Sequence, residues 1–303
     1  MMDNPIKKII THNGSFHADD IFSCAAICIL LRKKKEGFKI IRTREEGVIA
    51  EGDYVFDVGG IYNENENRFD HHQPGGAGRR ENGIEYASFG LVWKKIGEEL
   101  CDSAEAAKII EEKLVSPIDA FDNGIDLFEP RRGVSPYILE RVFMAMEPTW
   151  REENLDVNTM FLECVKMAEK ILQREIVHAR DYILAEQSAR EIYRKTSDKR
   201  IIVLDKDYPA EFTVENFPDA FFVIYPRRDG TWGAKTIRLE KDSFRNRKDF
   251  PLGWAGLRYE EAARATGVPD AIFCHRSLFM AVAKSKEGAI KLAELALKNG
   301  AVQ

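Results

Sequence analysis

Residues 7–35 read KKIITHNGSFHADDIFSCAAICILLRKKK. The run KKIIT is short and rich in β-branched residues, which predicts a strand. From Asp19 the chain is apolar nearly all round until it ends in Arg-Lys-Lys-Lys. That pattern predicts a buried helix over 19–35 with cations at its C-terminus. Working outward, residues 38–43 and 53–58 read as further strands, the second closed by Gly59-Gly60. Another strand leads into Arg68-Phe69-Asp70, and helices are expected over 88–100 and 104–114. Strands separated by helical crossovers imply an α/β fold with a parallel sheet.

The remaining chain divides in two. Residues 158–194 are long, charged and helical in pattern, and predict a helical connector. Beyond it a strand is expected over 200–204. Runs at 220–225 and 232–239 flank Arg-Arg-Asp-Gly, a hairpin signal. Helices follow at 258–266 and 285–298. The expected organisation is an N-terminal parallel-sheet domain over 1–150, a connector over 151–198 and a smaller α+β domain over 199–303. A chain of 303 residues suits about two domains.

Composition is ordinary for a soluble globular protein, with 44% hydrophobic and 31% charged residues. The net charge of −5 gives no global pull toward nucleic acid, although a local basic stripe can still bind phosphates. The five cysteines (Cys24, Cys28, Cys101, Cys164 and Cys274) form no CxxC pair, and read as core packing in a reducing compartment. No stretch approaches the ~20 apolar residues of a membrane span. The start, MMDNPIKKIITH, carries no hydrophobic signal region, so a cytoplasmic location without membrane partners is expected.

Histidine placement carries the most chemistry. Four of the six histidines fall within the first 72 residues, each beside acids. ITHNGSFHADD contributes His12, His17, Asp19 and Asp20. YVFDVGG contributes Asp57, RFDHHQ contributes Asp70, His71 and His72, and IDAFDNG contributes Asp119 and Asp122. Singly, each has a plain structural reading. Asp19 suits a helix N-cap, Asp57 a polar strand end, and Asp122-Asn123-Gly124 a turn. Together they fall at predicted strand ends, where open parallel sheets gather ligands. Carboxylates crowded there repel unless a cation sits among them. Mixed imidazole and carboxylate donors without thiolate suit Mn2+, Fe2+, Co2+ or Zn2+. Two such ions can activate water for in-line displacement at phosphorus.

These motifs resemble the DHH phosphoesterase superfamily, and more closely the melanocyte proliferating gene one family of metal-dependent hydrolases. The resemblance rests on THNGSFHADD, YVFDVGG, RFDHHQ, NGIEYASFGLVWKKIG, IDAFDNG and the C-terminal run beginning WAGLRYEEAARATGVPDAIFCHRSLF. It implies a DHH-type catalytic domain with two divalent ions, Mn2+ first among them and Mg2+ an alternative. It implies that His12, His17 and Asp57 hold one ion. Asp19, the bridging Asp57, His71 and an acid of IDAFDNG hold the other. Asp122 is preferred there and Asp119 is the reserve. Asp70 and His72 become supporting or phosphate-contacting groups. One departure stands out: related pyrophosphatases carry an Asp where this chain has His17, which argues against simply copying their activity.

On the substrate side, the loop QPGGAGRREN follows the triplet and offers Arg79 and Arg80. In the second domain, His275 and Arg276 leave a predicted strand, and the resemblance implies that basic groups there bind phosphate. Arg227, Arg228 and Lys235 at the hairpin are weaker candidates. Trp232, Trp254 and Phe279 suit either base stacking or core packing, and His178 reads as structural. The resemblance implies 3′–5′ exonuclease action on RNA or short oligonucleotides. The alternatives are hydrolysis of a small phosphorylated molecule, such as a dinucleotide or pyrophosphate, and a non-catalytic metal-binding regulatory protein. Oligomeric state stays open, a homodimer included.

Overall fold

A computed structural model describes residues 5–130, 132–208, 217–240 and 243–299. The chain forms two compact units that meet in sequence between residues 180 and 181. Among the described residues, no helix is long and apolar enough to cross a membrane.

The first unit opens with β1 (Lys7–Thr11), α1 (Ala18–Lys33), β2 (Phe38–Arg42), α2 (Glu46–Ala50), β3 (Tyr54–Phe56), β4 (Tyr62–Asn63) and β5 (Arg68–Phe69). The sheet order is β2-β1-β3-β5-β4. β1 pairs in parallel with both β2 and β3, and β5 continues the parallel set. Only the short edge strand β4 runs antiparallel. The helix expected after β1 is buried on almost every face, from Ala18 to Leu31, as its all-round apolar sequence requires. It packs against α3 (Ser88–Cys101). All five cysteines are buried and free.

Residues 104–114 depart from the expected single helix. α4 (Ala104–Ile110) passes into a π-helical turn (Glu111–Val115) and then into α5 (Ser116–Asp122). The extra residue of a π turn re-aims the helix that follows it. The short α6 (Leu139–Met144) and the 39-residue α7 (Val157–Lys195) complete the helices of this part. Phe161, Cys164, Ala168 and Leu172 form a buried stripe at helical spacing on α7. The boundary between the two units falls inside α7, so this helix belongs partly to each.

In the second unit, β6 (Ile201–Val203), β7 (Phe222–Pro226), β8 (Trp232–Thr236), α8 (Tyr259–Thr266), β9 (Ala271–Cys274), β10 (Met280–Ala283) and α9 (Lys286–Asn299) follow in sequence. The sheet order is β6-β7-β8-β10-β9, with only β6 and β7 parallel. The expected hairpin forms: Arg227 and Thr231 close it, with Gly230 at φ +81. α9 buries Ala289, Leu292, Ala293 and Ala296 against the sheet. Trp254 lies in this core, 6% exposed and stacked with Phe250.

Candidate metal centre

The order β2-β1-β3 places a topological switch at the carboxyl end of β1, where parallel sheets open a crevice. His12 is the first residue after β1, and Asp57 the first after β3. Their side chains meet, with His12 Nε2 2.9 Å from Asp57 Oδ2. The next strand, β5, delivers Asp70, His71 and His72 to the same edge. His71 Nε2 lies 3.4 Å from Asp57 Oδ1 and 3.1 Å from Asp122 Oδ2 at the end of α5. His17, before α1, brings Nδ1 to 3.9 Å from Asp122 Oδ1.

Asp57 itself sits at φ +55, a left-handed conformation rare for a residue with a side chain. Such a residue costs about 1–3 kcal/mol and persists where the surroundings hold it, often at a functional site.

Three sets of side chains bring ligand atoms within 4.8 Å of one another: His12, His17 and Asp57; Asp57, His71 and His72; Asp19, His71 and Asp122. Asp57 belongs to two sets and His71 to two. Asp57 Oδ1, His71 Nε2 and Asp20 Oδ2 are buried and none makes a well-directed hydrogen bond, although His71 Nε2 lies at ion-pair distance from Asp57 and Asp122. Orphaned buried polar atoms are costly. Among carboxylates and imidazoles they are what a divalent cation would satisfy, so the donor set fits the ions expected from the sequence.

The electrostatics agree with a cation-shaped centre. Burial, then the charges of Asp122, Asp57 and Asp119, push the Asp19 carboxyl well above its usual range. Burial does the same to Asp20, with Asp57 adding to it. Burial works against a charged His71, but Asp122 and Asp57 outweigh it and hold the imidazole up to about 11. Burial would also raise Asp57, yet His12 and His71 hold it below the usual carboxylate range. The imidazolium of His71 thus supplies the positive charge that a metal would otherwise bring.

Asp70 and His72 have different surroundings. Asp70 is buried and accepts the amides of Gly60 and His72 and the His72 ring, Nδ1 to Oδ1 2.8 Å. The His72 ring is 63% exposed. Contact with Asp70 raises its pKa, against partial burial.

Asp119 stands apart from the three sets. It is fully buried and meets Arg80 Nη2 at 2.7 Å, while Gly90 donates its amide at 3.0 Å. A Cβ at Gly90 would lie 1.9 Å from Asp119 Oδ2, so only glycine fits this first turn of α3. The two preceding amides, Ser88 and Phe89, donate to Asp19. Arg80 also binds Glu111 in the π turn and stacks over Tyr86. Burial raises Asp119 to about 7, and Arg80 only partly offsets this. The expectation that Arg80 contacts substrate meets a guanidinium already engaged by two carboxylates. Arg79 is 69% exposed and touches only Glu85 among the described contacts.

Three acids that the sequence reading left without a role lie against the start of α1. Glu147, Asp20 and Glu140 accept the successive amides of Phe16, His17 and Ala18. Asp20 Oδ2 also lies 3.6 Å from His12 Nε2. Asp20 was signalled by its place in HADD. Glu140 and Glu147 have no local signature, because α6 ends between them.

His275 and Arg276 lie in the second unit, in the turn after β9. His275 Nδ1 accepts the amide of Ser277, and its ring sits 4.4 Å from that of Phe279. Arg276 is exposed. His178 is an exposed side chain on α7, 3.3 Å from Arg174.

A family profile for MYG1 exonuclease, described as "Uncharacterised protein family (UPF0160)", matches residues 8–297. The MYG1 exonuclease of Mus musculus is 29% identical over 327 residues, covering 96% of this chain and 84% of its own. The MYG1 protein of Chlamydia muridarum is 31% identical over 304 residues, covering 98% of each. Among solved structures, RecJ of Thermus thermophilus in complex with Mn2+ is similar over 96% of this chain at 12% identity and a TM-score of 0.28; this chain spans 52% of that one. An exopolyphosphatase-related protein of Bacteroides fragilis is similar over 96% of this chain and 92% of its own, at 10% identity and a TM-score of 0.25. With its profile matched almost end to end, the chain belongs to the MYG1 family.

Proposed function

We propose that this protein is a metal-dependent phosphodiesterase, an exonuclease that removes nucleotides from the 3′ end of RNA or short oligonucleotides. The observation that carries the reading is Asp57, a buried carboxylate whose two oxygens face His12 on one side and His71 on the other. The name of the mouse relative, MYG1 exonuclease, supports the nuclease class.

In this reading His12, His17 and Asp57 hold one divalent ion, and Asp19, Asp57, His71 and Asp122 hold a second, with Mn2+ the first choice. Bound ions would supply positive charge opposite the phosphoryl oxygens and make a water acidic enough to attack phosphorus. The protein's own groups do the rest. Asp70 holds the His72 ring through Nδ1 and favours its charged form, in which Nε2–H can donate to a phosphoryl oxygen. Arg79, exposed and paired at the surface with Glu85, meets the strand's phosphates. Arg80 instead holds Asp119, which fixes the first turn of α3 and through it Asp19. His275 and Arg276, in the second unit, are proposed as phosphate-binding groups on the family resemblance alone.

The test is a substrate panel with Mn2+: RNA labelled at either end, single-stranded DNA, dinucleotides and pyrophosphate. Stepwise loss from the 3′ end of RNA, abolished by EDTA and by Asp57→Asn, is expected. Full activity of Asp57→Asn, or hydrolysis of pyrophosphate alone, overturns the reading.

A further inference from the structure

A cavity of about 360 Å³ opens beside α5 in the first unit. Ile118 and Phe121 form one wall, from the face of α5 next to the one that carries Asp122. Phe128 and Tyr137 form the outer wall, and Tyr137 is 69% exposed. Ala18, between His17 and Asp19, and Glu140 close the inner end, where Glu140 accepts the Ala18 amide at 2.6 Å. The cavity therefore touches the residues adjoining three of the proposed metal ligands, on two separate elements.

We infer that this cavity seats the terminal nucleobase of the strand whose end lies at the metal centre; the inference rests on the exonuclease reading. Its size is at the low end of ligand pockets, roughly 300–1,000 Å³, which suits one base and part of its sugar but not a run of strand. Its walls are mainly apolar and include three aromatic rings, the surface on which a base stacks without regard to sequence. Its few polar groups are the carboxylates of Asp126 and Glu140, which can accept from a base, and Lys113, whose ammonium is paired with Glu175 at 2.7 Å. A phosphate alone finds too little there, because the carboxylates repel it and the rings offer it nothing. A base placed in the cavity leaves its phosphate beside Asp122 and His17.

Two measurements test this. The first compares oligonucleotides that are identical except for a base-bearing or an abasic terminal residue. The wild type should favour the base by about tenfold in kcat/KM, the scale of one stacked base. Phe128→Ala and Tyr137→Ala should each remove most of that preference through KM, leaving the abasic rate unchanged. Equal wild-type rates on the two ends, or a preference untouched in both variants, overturns the inference. The second titrates the Mn2+-loaded protein with adenosine 5′-monophosphate and with ribose 5-phosphate by calorimetry. Tighter binding of the base-bearing compound, lost in Phe128→Ala, supports the seat, and equal binding overturns it. A protein that shows this binding yet hydrolyses no oligonucleotide overturns the exonuclease reading and leaves the base seat standing.

Discussion

In the proposed metal centre, a proton and a metal ion would compete for one atom of His71. Its Nε2 is buried and faces Asp122 and Asp57 at 3.1 and 3.4 Å. Burial disfavours the charged ring, but those two carboxylates hold it up to about 11. At pH 8 the ring is therefore protonated in the metal-free protein. Taking the proton off across about three pH units costs roughly 4 kcal/mol, and a metal must meet that cost to use the nitrogen. Binding should release a proton from His71, and Mn2+ affinity should rise about tenfold per pH unit between pH 7 and 9. Titration calorimetry in buffers of different ionisation enthalpy reads both quantities. His71→Gln removes the ligand and the competing proton together, so it should bind Mn2+ more weakly and with a shallower pH slope. Wild-type affinity that is flat across this range, or a His71→Gln slope equal to that of the wild type, refutes the reasoning.

Further outcomes follow from Asp119 and its neighbours. The folded pKa of Asp119, about 7, lies above its unfolded value, so the folded state keeps the proton longer. Its contribution to metal-free stability is therefore greatest below about pH 4 and is lost as pH rises to about 7. Urea unfolding across that window should give a flatter curve for Asp119→Asn than for the wild type, and parallel curves would contradict this. Gly90→Ala places a Cβ 1.9 Å from Asp119 Oδ2 and 2.7 Å from Arg80 Nη2. It should destabilise by about 1–3 kcal/mol in thermal unfolding, and an unchanged Tm would show that the first turn of α3 can yield. Asp122→Ala should lower the Mn2+ content of purified protein, read by elemental analysis, while Asp119→Ala keeps it. The reverse pattern would make Asp119 the ligand.

The parts of the centre that were legible in the sequence are those fixed by neighbours along the chain. His12 follows KKIIT directly and Asp57 follows YVF, so a strand prediction also predicts the position of the ligand after it. Asp119 and Asp122 could not be separated that way. They lie three residues apart on one helix, and what makes their surroundings differ is Arg80, 39 positions away from Asp119 along the chain. The π turn was hidden because the apolar pattern runs through it unchanged, yet it supplies Glu111 to the same guanidinium. Arg80 looked like a phosphate contact because a cation in a glycine loop carries no mark of the carboxylates that will capture it. The start of α1 shows the same limit with a larger consequence. A helix N-terminus behind a metal site is ordinarily a ready phosphate seat. Here Glu147, Asp20 and Glu140 already occupy the amides of Phe16, His17 and Ala18, and two of those acids come from more than 120 residues downstream. Phosphate arriving there would meet carboxylates instead of free N–H groups. In the proposed function, the charge of a substrate would then be answered by ions held at the centre and by His72 and Arg79, whose side chains are exposed. That makes binding of a phosphate-bearing substrate depend on metal far more than in a site with an open helix N-terminus.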